Sequence, residues 1–526
     1  MMLYSFNFFF VYVISRKVPL DTNQHSKMLP TLFVFVIVFI IFLWLDCRKP
    51  NLFPPGPKWL PIIGSALYVH NERMRTGMLW KAMISIATNY KHNGVVGFKV
   101  GKDKTVVAIN PESIREMTLN EHLDGRPNGI LYETRTWGSR LGVMLTDGEL
   151  WMDQRRFVVR HLKEFGFARR GMVEMIQTEA QHMLADYRQI VGKQNGKALV
   201  PMHDAFNSYV LNTLWCMMTG TRYDKGNLKL KQLQSLLHTL IKNLDMMGAL
   251  FSHFPLLRFL APSYSGYKEF VEIHQTMHTF IENELENHKR NFKIENEPSD
   301  LMDVYLQVLQ DPERKDSFSE KQLLAICLDM FIAGSETTVK TINFTLLYII
   351  RKQDVQRKAQ QEIDSVVGRE RLPVLEDRTR MPYCEAIILE GLRIFMGNTF
   401  GLPHRALQDT ELCGYKIPKD SIVIACFAGM MMDSGIWPDP HEFRPERFLD
   451  QNNKINIPLQ YNPFGAGKRR CMGEMMARSS LFLFVTTLLQ NFNFLVPQGH
   501  PLPSDKPIDG ATPSIQHYTA LVENRQ

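Results

Sequence analysis

"PFGAGKRRCMG", Pro463 to Gly473, decides how the rest of this chain is read. One cysteine sits among three glycines and three consecutive cations, and an apolar helical pattern, "EMMARSSLFLFVTTLLQNF", follows directly. A structural thiol needs none of these neighbours. A free thiol is mostly protonated at neutral pH, and only its thiolate is a strong, soft metal ligand. Lys468, Arg469 and Arg470 supply positive potential, and a helix beginning near Gly473 turns its amides and positive dipole end towards the sulfur. Gly465, Gly467 and Gly473 let backbone amides approach and donate to it. With no second ligand close by in sequence, Cys471 does not suit tetrahedral zinc and does suit the fifth position of haem iron. A reactive nucleophile is the alternative; it needs a histidine base, and none is adjacent in sequence.

Bulk properties bound the rest. The chain has 526 residues and a formal charge of +7, with 61 Lys and Arg against 54 Asp and Glu. That balance is too mild and too dispersed for nucleic acid, and suits an acidic protein partner or an anionic membrane face. Seven cysteines are scattered, with no CxxC pair or His/Cys cluster, so neither a disulfide framework nor a structural zinc site is expected. The catalytic body reads as cytosolic and reduced.

Leu29 to Leu45, "LPTLFVFVIVFIIFLWL", is 17 residues without a charge, at the short end for a membrane-spanning helix. No small-residue cleavage site follows it, so residues 28–48 are expected to be an uncleaved signal-anchor. Arg48, Lys49 and Lys58 then keep the body on the cytosolic side. Residues 1–27 form an extension that fits this pattern poorly: "LYSFNFFFVYVI" is too short to span, and Arg16, Lys17 and Lys27 blur the charge asymmetry. Translation, or the functional protein, is expected to start at Met28. An intact 1–27 segment on the native protein would overturn this. Residues 49–526, entered through a proline-rich hinge at 54–61, read as one catalytic domain.

That domain is expected to be mainly α, of α+β class. "VVGFKVGKDKTVVAI" (Val95 to Ile109) reads as a hairpin, and Asn110 with Pro111 as the N-cap and first turn of the next helix. Ser319 and Gln322 form a capping box for a helix from about Glu320 to Ile350, long enough to cross the whole molecule. A further helix covers Pro382 to Phe395, and short strands recur between Gly414 and Phe427.

Phe464, Gly467, Arg469, Cys471 and Gly473 match F-x-x-G-x-R-x-C-x-G. In this the chain resembles the cytochrome P-450 haem-thiolate monooxygenases, and three further motifs occur in that family's order. "AGSETT" (Ala333 to Thr338) lies midway along the long helix, where small residues admit a flat cofactor. Its Glu336–Thr337 pair resembles the family's acid–alcohol pair, which relays protons during dioxygen activation. On that motif alone, a back-bonded threonine beside a solvated glutamate is an equal reading. Glu390 and Arg393 of "EGLR", with Arg447 of "RPERF", resemble a buried ion network behind the haem, with a structural role only. "WMDQRR" places Trp151 and Arg155 on one helix face; with Arg469 and His404 of "LPHRAL" they resemble the set that holds the haem propionates.

The resemblance implies a cytochrome P-450 fold, a haem b cofactor on the Cys471 thiolate, and insertion of one oxygen atom of O2 into a C–H or C=C bond. It also implies electrons from NADPH through NADPH–cytochrome P-450 reductase, with cytochrome b5 as a second donor, and residence in the endoplasmic reticulum membrane facing the cytosol. Arg156, Arg160 and Lys163 on one helical stripe are the expected reductase dock. By the same analogy, Arg126–Gly142, Asn243–Phe254, the Ile332 side of the long helix, Asn398–Leu402 and Thr512–Ile515 contact a small lipophilic substrate. A sesquiterpenoid or an ecdysteroid-like sterol both suit. The methionines of "ACFAGMMMDSGIWPDP" depart from the family pattern. A haem-thiolate isomerase or dehydratase, and a non-enzymatic haem sensor or carrier, are the alternative functions.

Overall fold

Two β-branched runs separated by a glycine-led turn build the expected hairpin. In the computed structural model, which describes residues 22–164, 170–294 and 296–525, they are Val95–Val100 (β1) and Asp103–Ala108 (β2). His404–Arg405 (β3) and Ile422–Ala425 (β4) complete a sheet of order β1-β2-β4-β3, in which only β2 and β4 run parallel. The next helix, Pro111–Leu119, starts where Asn110 accepts from the Ser113 amide at 2.9 Å. A second sheet joins Lys197–Pro201, Thr519–Asn524 and Phe492–Leu495, so the C-terminal strand sits between two distant segments. Most of what remains is helix.

The long helix spans Glu320–Arg351, one residue past the expectation. Ser319 accepts from the Gln322 amide at 3.2 Å, as a cap should. The return half of the capping box is missing. Gln322 instead reaches across the structure to the backbone of Gly142, accepting from its amide at 3.0 Å and donating to its carbonyl at 3.2 Å. A buried loop outcompetes the local cap for that side chain. Every residue from Thr338 to Ile350 is buried, because other helices, including Asn207–Thr219 and Pro382–Met396, surround this segment. Among the described residues this is the one helix long and apolar enough to cross a membrane, and its burial marks it as the core helix of the body.

The expected anchor lies in a helix at Thr22–Asp46, whose apolar side chains from Phe33 to Leu45 are mostly exposed. Within it Phe33–Asp46 is the apolar stretch. Its end is tied to the body: Asp46 pairs with buried Lys99 and accepts from the Ile62 amide at 2.8 Å. Lys49 donates to the Gly56 carbonyl at 2.6 Å. Of the 1–27 extension, residues 1–21 lie outside the described residues.

Candidate active site

The cysteine loop is folded tightly before its helix begins. The Cys471 amide donates to the Phe464 carbonyl at 2.9 Å, closing the loop, and Glu474–Asn491 follows as the helix. Gly467 has φ +67°, and a Cβ there would lie 2.1 Å from the Thr118 carbonyl oxygen. Gly467→Ala is therefore expected to displace the loop and lower haem content, and equal haem content would contradict it.

Cys471 lines a cavity of about 450 Å³. Cys471 is open to that cavity, yet the protein packed around it desolvates the sulfur and pushes the thiol up from the ordinary cysteine value. The Gly473 amide, Arg155 and Arg470 act against that, while Glu474 in the helix's first turn adds to it. The three cations of the run take different partners. Lys468 pairs with Glu121 at 2.7 Å and Arg470 with Glu474 at 2.6 Å. Arg469 turns inward, donating to the Asp124 carbonyl at 2.9 Å and lying 3.7 Å from the centre of the Trp151 ring.

Trp151 and Arg155 leave the helix Gly148–Glu164 on the same face, Arg155 donating to the Arg470 carbonyl at 2.7 Å. Phe464, Trp151, Arg155, Arg469 and His404 all line the cavity with Cys471. So does Arg126, a buried guanidinium that sequence reasoning placed only in a substrate segment. It donates to the Met144 and Pro403 carbonyls at 3.1 and 3.0 Å. Burial, with Arg469 beside it, brings Arg126 down to about 9; burial brings Arg469 down to about 10. Trp151 Nε1 and Arg469 Nη1 are buried without a partner. Crowded guanidiniums and orphaned donors are a site short of anions, and the two propionates of haem fit it. Buried His404 donates from Nδ1 to the Leu123 carbonyl at 2.7 Å, and burial holds its pKa well below the ordinary value. Its Nε2 is then an acceptor, and meets a carboxylate as a donor only once the ring is protonated.

The long helix divides its expected residues between two sides. Ala333 and Thr337 line this cavity, and Thr337 donates back to the Ala333 carbonyl at 2.8 Å. Gly334 does not face it; a Cβ there would meet Leu214 at 2.5 Å, so this glycine serves helix packing. Glu336 lines a separate, more polar cavity of about 460 Å³ with His203, His238 and His517. It is not solvated but paired at 3.1 Å with Lys340, which also donates to Thr512 Oγ1 at 2.9 Å. Thr512 borders both cavities.

Behind the loop, Glu390 bonds Arg393 at 2.7 and 2.8 Å and Arg447 at 3.0 Å, and accepts from the Arg444 amide at 2.9 Å. Arg393 also donates to the Met431 and Pro440 carbonyls, both at 2.8 Å, and stands over Trp437. Trp437 and Phe448 pack on Tyr461, whose hydroxyl donates to the Leu389 carbonyl at 2.8 Å just before the loop. The unusual methionines are accommodated here: Met430 and Met431 are core, and Met432 Sδ lies 3.4 Å from Arg393.

A family model for cytochrome P450 matches residues 54–519. The chain belongs to the cytochrome P450 family. Its members are monooxygenases that carry haem on a cysteine thiolate. The chain is 49% identical over 499 residues to "Probable cytochrome P450 303a1" of Drosophila melanogaster, covering 94% of this chain and 99% of that protein. It is 37% identical over 499 residues to the farnesoate epoxidase of Bombyx mori, covering 94% and 98%. Cytochrome P450 18a1 of Drosophila melanogaster is 29% identical over 530 residues, covering 97% and 95%. The family's fold explains why residues of "WMDQRR", "AGSETT" and the cysteine loop, far apart in the chain, meet at one cavity.

Each sequence-derived substrate segment reaches that cavity: Arg126, Leu244, Ile332, Phe400 and Thr512 represent them. Several lining residues had no signal in the sequence, among them Phe270 and His274 on the helix Tyr267–Asn291. They occupy an ordinary amphipathic face there, with nothing to distinguish core from lining.

Proposed function

We propose that this P450 is a membrane-anchored microsomal monooxygenase acting on a lipophilic substrate. One atom of O2 enters the substrate and the other leaves as water, with two electrons drawn from NADPH through a flavoprotein reductase. The observation that carries this reading is the single cavity where a thiol, unpartnered cationic donors and apolar walls meet. Haem supplies dioxygen activation there. Cys471 is its thiolate ligand, with Phe464 holding the loop from which the sulfur projects. Arg126, Arg469 and Trp151 hold the propionates, and Arg155 fixes the loop backbone. His404 joins that set as an imidazolium, the form that two neighbouring carboxylates favour.

Thr337 stands in the cavity as the alcohol of the acid–alcohol pair. Glu336 collects protons from the polar cavity, and Lys340 with Thr512 bridges the two sides of the helix. Arg156, Arg160 and Lys163 are exposed on one face of their helix and form the reductase dock. The Thr22–Asp46 helix is the anchor, placing the enzyme on the endoplasmic reticulum with its body in the cytosol. The Bombyx mori relative's name supports a sesquiterpenoid or a lipid of similar size.

Reconstitution with reductase and NADPH tests the reading, using methyl farnesoate and an ecdysteroid as trial substrates. A product heavier by one oxygen, formed at a rate that falls with added salt, is expected. Thr337→Ala should consume NADPH while forming several-fold less product. Product from a peroxide without NADPH would favour an isomerase or dehydratase. No turnover by a protein with an intact thiolate spectrum would favour a sensor or carrier.

A further inference from the structure

Arg135 follows the short helix Ile130–Thr134 and is 3% exposed, on the wall of the cavity that Cys471 lines. Its Nη2 pairs with Asp329 of the long helix, which is equally buried. Asp329 is fully engaged: its other oxygen accepts from the Val143 and Met144 amides at 2.6 and 2.8 Å. The Arg135 backbone is fixed too, its carbonyl accepting from His278 Nε2 at 2.8 Å, and that ring stacks on Trp137. One donor is left over. Arg135 Nη1 is buried with no partner. A charged donor held out of water and unpaired is costly, and a ligand that supplies an acceptor relieves the cost.

The surroundings say which acceptor. Leu131, Leu240, Leu244, Phe270 and Ile332 line the same cavity and offer an apolar chain its environment. His274 adds no competing donor, because Nδ1 is committed to the Phe270 carbonyl at 2.8 Å and burial holds the ring neutral, with a pKa of about 3. Asp329 precedes Ala333 by one helical turn, about 6 Å along the axis. We propose that Arg135 Nη1 receives a carboxyl or ester oxygen at one end of the lipophilic substrate, which selects acids and esters over plain hydrocarbons. This rests on the reading of the cavity as the substrate site.

Spectral titration of the ferric holoprotein with dodecanoic acid, methyl dodecanoate and dodecane tests it. The wild type is expected to bind the acid or the ester at least about ten-fold more tightly than dodecane. Arg135→Met alone strands the Asp329 charge, so it is paired with Arg135→Met/Asp329→Asn, whose amide oxygen can still take the loop amides. The double variant should lose the preference and bind dodecane within about three-fold of wild type, with the carbon monoxide spectrum unchanged. Preference for the acid assigns an anionic head group, and preference for the ester a neutral carbonyl. Equal affinity for all three in the wild type, or a preference that survives the double variant, overturns the inference and leaves the monooxygenase reading standing. No response to any of the three overturns both.

Discussion

Replacing Cys471 with serine is expected to abolish the red-shifted carbon monoxide band of the reduced protein. The loop is shaped around that position: the Cys471 amide bonds back to Phe464, and a Cβ on Gly473 would stand 3.9 Å from the sulfur. Serine preserves the loop's backbone bonds, so the variant should fold. What it removes is the soft anionic ligand, since a hydroxyl of high pKa cannot replace a thiolate on iron. Oxygen insertion should fall to background with it. Gly473, Arg155 and Arg470 favour the thiolate at this position, and coordination to iron would hold it in that form. A retained red-shifted band in Cys471→Ser would remove Cys471 from the iron.

Glu390→Ala should be more damaging to folding than any single change in the cavity. Glu390 and Arg393 are completely buried, and the Arg447 side chain is only 5% exposed. Removing the carboxylate leaves two desolvated guanidiniums, a loss of about 3–5 kcal/mol against a total stability of about 5–15. Arg393 keeps its carbonyl partners but sits against Trp437, so the disturbance passes through Tyr461 into the cysteine loop. Little holoprotein should accumulate, and the remainder should lose haem on mild warming. Normal yield and haem retention would show that the network is dispensable.

The elements readable from sequence are those specified locally. β-Branched runs around Gly101, the Asn110 cap and the apolar run after Ser319 each act within a few residues, so their helices and strands fall close to where the pattern puts them. The cysteine loop was equally legible, its glycines and cations because they suit a thiolate beside a tight turn, and its five fixed positions because they match the family's pattern. What stayed hidden depends on partners far along the chain. Gln322 abandons its cap for Gly142, Gly334 turns to Leu214, and Glu336 faces a different cavity from Thr337. Adjacent helix residues point about 100° apart, so a shared motif need not mean a shared cavity. Arg126 and Arg135 were legible only as parts of a substrate segment for the same reason: an arginine in a loop becomes a buried donor only after the fold encloses it.

The amides of Gly142, Val143 and Met144 belong to no helix or strand, yet each donates to a side chain of the core helix. Their protection in deuterium exchange should therefore match that helix and exceed that of an ordinary connection such as Gly220–Gly226. This stretch of the cavity roof then opens only when the helix itself breathes. A bulky product then has to leave through the opening of some other segment. Fast exchange at these three amides would show instead that the roof opens independently of the helix.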